Sequence, residues 1–172
     1  ANGADGGSAP AAQTKTEGTD LTLETNSGGL SKTGHTFVGW NTASDGNGTA
    51  YPEGATYTDD ADLVLYAEWQ INSYTVTFNS NGGSSVASQT VDYGGTVTEP
   101  AAPTKSGHAF NGWFTDDGTF ATAWDFVNDT VSGDLTLHAY FGPDIAQILA
   151  SDGESLDRFG WSVSIDGDYA IV

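Results

Sequence analysis

The chain of 172 residues has no cysteine, no methionine and only four basic side chains. Each shortage excludes something. Without Cys there is no disulfide, no thiolate nucleophile and no sulfur-ligated metal, and cysteine usage assigns no redox compartment. Against 23 Asp and Glu, the four bases leave a formal charge of −19 and a pI near 4.1. A phosphate backbone is bound by clustered Lys and Arg, so nucleic acid is excluded as a partner, and an anionic membrane surface is disfavoured on the same ground. No apolar run reaches the roughly 18 residues that a helical span needs, which argues against membrane insertion. Met is absent even at position 1, and no basic start leads into an apolar stretch, so Ala1 reads as the start of a processed or excised piece.

Aliphatic residues are also scarce. Leu, Ile, Val and Phe number 32 in all, a share that with this charge falls on the disordered side of the usual compositional line. Aromatic residues argue the other way. Five Trp, seven Tyr and eight Phe supply large rings that each bury about 150–250 Å², so a core built on rings replaces one built on aliphatics. With 23 Gly for sharp turns and abundant Thr and Val, the class is mainly β with short strands.

Comparison of the sequence with itself gives a repeat. The segment KTGHTFVGW at 32–40 returns as KSGHAFNGW at 105–113, sharing its Lys, first Gly, His, Phe, second Gly and Trp. LVLYAEW at 63–69 returns as LTLHAYF at 135–141, Asn2-Gly3 as Asn81-Gly82, and Gln13-Thr14 as Gln89-Thr90. The offset drifts between 72 and 79, as it does when loops of different length join fixed strands. Two copies of a unit of about 70 residues are present, a size at which a small domain is marginal but workable.

The second copy parses completely. YTVTF at 74–78 alternates apolar and polar residues before the turn formers NSNGG. Further strands are expected near 88–93, at 109–114 and at 135–141, while AWDFV at 123–127 reads equally as strand or as one helical turn. The first copy begins at the turn that follows the opening strand of the second. Its own opening strand is missing, which predicts a sheet edge with unpaired N–H and C=O groups. Beyond 142 the pattern changes. Trp161, Val163 and Ile165 alternate with polar residues, Asp166-Gly167-Asp168 signals a turn, and Tyr169 and Ile171 resume the alternation, predicting a β-hairpin from a different module.

Two resemblances rest on these residues. Residues 1–141, through YTVTFNSNGG, VDYGGTVTEPAAPTKSGHAFNGWF, AWDF and DLTLHAYF in the second copy and TFVGWNT and DLVLYAEW in the first, resemble the Listeria-Bacteroides repeat, the group that includes the B repeats of internalin-type surface proteins. That resemblance implies tandem β-grasp-like (α+β) repeats on secreted or surface-attached bacterial proteins, acting as spacers or adhesive modules. Residues 145–172, through DRFG at 157–160 and the strand after it, resemble an FG-GAP repeat of the bacterial surface type, one blade of what is usually a propeller. A lone blade depends on neighbours to bury its faces. The expected organisation is repeat 1 over 1–70, repeat 2 over 71–142, and a partial FG-GAP-like β segment over 143–172.

Chemistry is sparse. No G-x-S-x-G elbow occurs, the histidines at 35 and 108 recur at one position of both copies, His138 replaces Tyr66 on a strand, and no zinc spacing links the three. Acidic clusters at Asp59-Asp60-Ala61-Asp62, Asp116-Asp117-Gly118 and Asp152 to Asp157 carry the oxygen ligands calcium takes, yet none has the D-x-[DN]-x-[DN]-G loop with a distal Glu. No cofactor is expected, with calcium at these turns the one metal the residue types permit. No two carboxylates are paired as glycosidase chemistry requires. The chain is therefore expected not to be an enzyme.

Six rings are expected in the core, Trp40, Trp69, Trp113, Trp124, Phe37 and Phe110, although Trp124 with Phe126 has no equivalent in the first copy, where Asp45 to Gly48 and Tyr51-Pro52 occupy the region. The competing use of Trp40 and Trp113 is stacking on sugar, as a lectin would. The expected function is a non-enzymatic extracellular spacer on a bacterial cell surface or fibre, whose partners are neighbouring repeats or identical subunits. The alternative is an adhesin that binds glycan or host protein through loops such as 43–51. The open edge of repeat 1 and the alternating tail also predict filament assembly by strand addition, with Trp161, Val163, Ile165, Tyr169 and Ile171 as the donor residues.

Overall fold

The computed structural model describes residues 1–143, together with the backbone of residues 164–166 and 169–171. Repeat 2 is the fuller unit. Its strands β6 (Ser73–Asn79), β7 (Gln89–Asp92), β8 (His108–Phe114) and β9 (Leu135–Pro143) form one mixed sheet in the order β7-β6-β9-β8. The central pair β6 and β9 is parallel, with Val76 opposite Leu135 and Phe78 opposite Leu137; the outer pairs are antiparallel. Alternation along β6 places Val76 and Phe78 in the core and the threonines in solvent, as the two-residue period of a strand requires. Val97, Trp113, Val131, Leu137 and Ala139 complete that core.

No helix occurs among the described residues, so the α part of the expected α+β class is not found there. Gly94, Gly95 and the prolines at 100 and 103 interrupt helix formation in the segment after β7, because proline removes a donor and clashes with the preceding turn. The extended chain instead lays Val97 and the half-buried Trp124 and Phe126 onto the sheet. The stretch 123–127, open between strand and helical turn in the sequence, contains an isolated bridge from Ala123 to Phe114 and then a turn in which Asp129 N donates to Asp125 O at 2.9 Å.

Repeat 1 has β2 (His35–Asn41), β3 (Ala50–Tyr51) and β5 (Tyr66–Ile71) in a sheet of order β3-β2-β5, and β1 (Leu21–Thr22) paired with β4 (Thr56–Tyr57). The register of β2 on β5 repeats that of β8 on β9. Phe37 faces Trp69 as Phe110 faces Phe141, and Trp40 faces Ala67 as Trp113 faces Ala139. Each pair contains the same bulge, at Val38 and at Asn111, followed by a glycine of positive φ, +142° at Gly39 and +125° at Gly112. A bulge adds one residue to one strand and re-aims the side chains beyond it, which turns the next residue, Trp in both copies, into the core.

In the tail, β10 (Ser164–Asp166) and β11 (Tyr169–Ile171) pair antiparallel with Asp166 opposite Tyr169, the hairpin expected around Asp166-Gly167-Asp168.

Candidate interaction surfaces

The repeated Gly-Trp step is internal. Trp40 is 6% exposed and Trp113 is 2% exposed, leaving no open face on which a sugar ring would stack. Phe37 meets Trp40 and Trp69 edge-on at 5.1 and 5.5 Å, and Phe110 meets Trp113 and Phe141 in the same way at 5.5 and 5.7 Å. Trp69 and Phe37 pack half-buried on the first cluster, Trp124 and Phe110 on the second. The two buried indoles differ in one respect. Trp40 Nε1 donates to Glu24 O at 2.8 Å, whereas Trp113 Nε1 has no partner among the described residues.

Trp113 has a neighbour that Trp40 lacks. Phe78 of β6 stands edge-on to Trp113 at 4.9 Å, and no strand within residues 1–71 takes the corresponding place beside Trp40. β5 starts at Tyr66, whereas β9 starts three residues earlier in the matching frame, at Leu135, where β6 pairs with it. Leu137 is fully buried; its counterpart Leu65 is only half-buried, and the adjacent Val64 is 65% exposed. A groove of about 470 Å³ lies beside this end of β5. Ala9 to Gln13 form one wall, Leu63 to Leu65 the other, and Trp40, Leu23 and Tyr57 lie between them.

The first wall is held in place. Gln13 Nε2 donates to Thr22 O at 2.8 Å, and its Oε1 accepts from Glu24 N at 3.0 Å. Gln89, the first residue of β7, makes a similar clasp with both bonds on Thr98, donating to its O at 2.7 Å and accepting from its N at 3.1 Å. Residues near 13 therefore stand where β7 stands in repeat 2.

The junction of the repeats is one residue long. Asn72 separates β5 from β6 and bonds to both units: its N donates to Gly34 O at 2.9 Å, its O accepts from Tyr93 N at 2.8 Å, and its Oδ1 accepts from Thr36 Oγ1 at 2.6 Å. The Tyr93 ring of repeat 2 lies on Gly34 of repeat 1, so closely that a Cβ there would fall 2.0 Å from Tyr93 Cδ1. Sequence reasoning did not find this residue. Asn72 sits between two apolar-polar alternations, and only its contacts distinguish it from a turn asparagine.

The loop 43–51 is fixed from below. Asn41, a buried polar residue, accepts through Oδ1 from Ala43 N and Gly48 N at 2.9 and 3.0 Å and donates through Nδ2 to Gly46 O at 3.1 Å. Its counterpart in the second copy is Phe114. Beside the loop lies a polar hollow of about 400 Å³ bounded by Asn2, Lys32, Asp45, Glu68 and Trp69.

Several titratable groups are engaged in local structure. His35 and His108 place Nδ1 at 2.9 Å from the carbonyls of Thr33 and Ser106. His138 lies 3.7 Å from Asp117 and 3.3 Å from the Asn79 amide. The Thr119 hydroxyl, followed by the amides of Thr122 and Ala121, holds the Asp116 carboxyl below the ordinary carboxylate range. Lys15, 2.6 Å away, and then the Gly18 amide do the same for Asp60. No group of three or more His, Asp or Glu positioned to hold a metal occurs among the described residues. The Asp152 cluster and the side chains of Trp161, Val163, Ile165, Tyr169 and Ile171 lie outside the described residues. No helix among the described residues is long and apolar enough to cross a membrane.

Comparison with known proteins gives two family matches. The Listeria-Bacteroides repeat domain matches residues 2–68 and again 74–140, and the FG-GAP repeat matches 143–172. Among similar proteins, one named as a Gly-rich membrane protein of Evansella cellulosilytica is 47% identical over 111 residues, covering 64% of this chain and 13% of the relative. Internalin H of Listeria monocytogenes is 41% identical over 111 residues, covering 64% of this chain and 20% of the relative. The chain thus spans a fifth or less of the length of these relatives.

Proposed function

Since the chain belongs to the Listeria-Bacteroides repeat domain family through residues 2–68 and 74–140, we propose that it is a non-enzymatic spacer on a bacterial cell surface, with β-grasp-like repeats joined stiffly end to end. The observation that carries this reading is the junction at Asn72. A flexible linker lets domains move independently; here one residue, tied by hydrogen bonds to Gly34, Thr36 and Tyr93, replaces a linker. A tandem built this way holds its ends at a set distance, which is the mechanical work of a spacer. The surface location is supported by the names of the relatives, a membrane protein and an internalin. The β-grasp-like reading is supported by the sheet order of repeat 2 and its parallel central pair.

Small-angle X-ray scattering tests the reading. The intact chain is expected to scatter as one stiff pair of repeats, and Tyr93→Ala with Asn72→Gly to broaden the distance distribution at unchanged strand content. Two independently moving repeats in the unaltered chain would count against a spacer.

A second reading, adhesion through 43–51, is favoured by the polar hollow beside that loop. Binding to a glycan or host-protein array that is lost when 43–49 is replaced by Gly and Ser would establish it. Assembly with neighbouring repeats or identical subunits is the third element of the proposal, supported by the close contact between the two repeats at Asn72.

A further inference from the structure

Equivalent lysines of the two repeats have different partners. Asn2 and Asn81 fix the same turn in the same way, Asn2 Nδ2 donating to Ala67 O at 2.8 Å and Asn81 Nδ2 to Ala139 O at 2.9 Å. In repeat 2 the carbonyl of that asparagine belongs to the lysine: Lys105 Nζ donates to Asn81 O at 2.8 Å and stands 5.4 Å from the centre of the Phe141 ring. In repeat 1 Trp69 stands where Phe141 does, and its Nε1 donates to Asn2 O at 3.0 Å. Phenylalanine has no N–H with which to compete. The Lys32 ammonium therefore has neither hydrogen bond nor ion pair among the described residues, although the residue is half-buried.

Lys32 lines the polar hollow beside loop 43–51, and Glu68 lines it too. Glu68 Oε2 accepts from Asn41 Nδ2 at 3.3 Å, while Oε1 has no partner among the described residues. Asp45 is engaged in its own turn, its two oxygens accepting from Asn47 N and Nδ2 at 3.0 and 3.1 Å. The polar pair is peculiar to repeat 1, since Phe114 and Tyr140 replace Asn41 and Glu68 in repeat 2. A cation and a carboxylate oxygen, each with unused hydrogen-bonding capacity, thus share about 400 Å³ with the Trp69 ring. Clefts of this size hold small ligands, oriented by a few polar groups against an aromatic surface.

We propose that this hollow is a binding site for a neutral saccharide. One sugar hydroxyl accepts from Lys32 Nζ, a neighbouring hydroxyl donates to Glu68 Oε1, and the C–H face of the ring lies on Trp69. A hydroxyl both donates and accepts, so adjacent hydroxyls satisfy a cation and a carboxylate together. Acidic sugars are disfavoured by Glu68 and Asp45 and by the formal charge of −19. A zwitterion such as a free amino acid meets the same two groups but loses far more hydration on entry than a hydroxyl does. This deepens the adhesion reading of loop 43–51 and rests on it.

The test titrates the full chain with cellobiose, lactose, maltose and chitobiose, followed by NMR, with N-acetylneuraminic acid and glycine as the charged comparisons. At least one neutral disaccharide is expected to bind at millimolar concentration or below and to shift the signals of Lys32, Ser44, Glu68 and the Trp69 indole. Lys32→Ala is expected to weaken it at least about tenfold, and Glu68→Gln at least about fivefold, a neutral acceptor being the weaker one. Trp69→Phe frees the Asn2 carbonyl; Lys32 is then expected to bond there as Lys105 does, with slowed exchange of its ammonium protons and weaker sugar binding. Lys105→Ala is the control, expected to lower Tm and leave sugar binding unchanged. No binding by any of the four disaccharides, binding that Lys32→Ala leaves intact, or tighter binding of either charged compound would each overturn the proposal. A host protein bound through 43–49 and indifferent to Lys32→Ala would overturn this site while leaving the adhesion reading in place.

Discussion

Two tryptophans at equivalent positions carry different hydrogen-bonding accounts. Trp40 satisfies its indole N–H on Glu24 O, and Trp113 buries the same group without a partner among the described residues. Replacing each by Phe removes similar ring area, but only Trp40→Phe breaks a hydrogen bond, a net loss of about 1 kcal/mol. Urea unfolding is therefore expected to show a larger cost at Trp40→Phe, after allowing for the different cores, and a reversed order would show that Trp113 has a polar partner such as a bound water. At the same scale, Asp116 holds a turn together through Thr119, Ala121 and Thr122. Its folded pKa is depressed below 3.8, so the stabilisation is fully present above that value and is lost as pH falls through the folded pKa. An NMR pH titration is expected to show the carboxyl titrating below 3.8 and the Thr122 amide losing protection in the same range; Asp116→Asn is expected to abolish both signals.

At the scale of elements, the decisive contact is the one between repeats. Gly34 and Gly107 occupy the same turn of the two copies with φ of +69° and +72°. Alanine in that region of backbone space costs roughly 1–2 kcal/mol. Gly107 has nothing within 4 Å of a would-be Cβ among the described residues, whereas at Gly34 the Cβ strikes Tyr93. Gly107→Ala is expected to cost only the backbone strain, and Gly34→Ala to add separation of the repeats, seen as two thermal transitions by calorimetry where the unaltered chain is more cooperative. Equal effects of the two substitutions would mean that Tyr93 does not couple the units. The bulges at Val38 and Asn111 act at this scale as well, since each sets the direction of the tryptophan two residues on.

For the whole molecule the two repeats differ in what they bury. Repeat 2 has a core cluster of Val76, Phe78, Val97, Trp113, Val131, Leu137 and Ala139, and repeat 1 one of Leu30, Trp40 and Ala67. Amide exchange is expected to place repeat 1 at the low-stability end, with amides of β2 and β5 exchanging faster than those of β8 and β9. Charge acts on both repeats together. At −19 self-repulsion opposes the compact state, and salt at 0.15 M shortens its range to about 8 Å. The melting temperature is expected to rise between low and physiological salt, and a fall would show that ion pairs such as Lys15–Asp60 outweigh the repulsion.

Much of this molecule is determined by residue order alone. The period that brings back Gly-His and Gly-Trp, the alternation at 74–78, the turn formers between strands and the Asp-Gly-Asp hairpin are local patterns, and local sterics and side-chain period translate them directly into strands, bulges and turns. What tertiary structure decided is where those strands leave space and where they touch. That Asn72 serves both repeats, that Tyr93 lies on Gly34, that Asn41 pins a loop from beneath, and that Gln13 is clasped to Thr22 and Glu24 are decided by which segments the fold brings together. Helix was excluded from the cover of the sheet by proline and glycine in sequence, yet the extended path that replaces it is set by packing of Val97, Trp124 and Phe126. A pattern of period two specifies which face of a strand is apolar; only the neighbouring strands determine whether that face is filled.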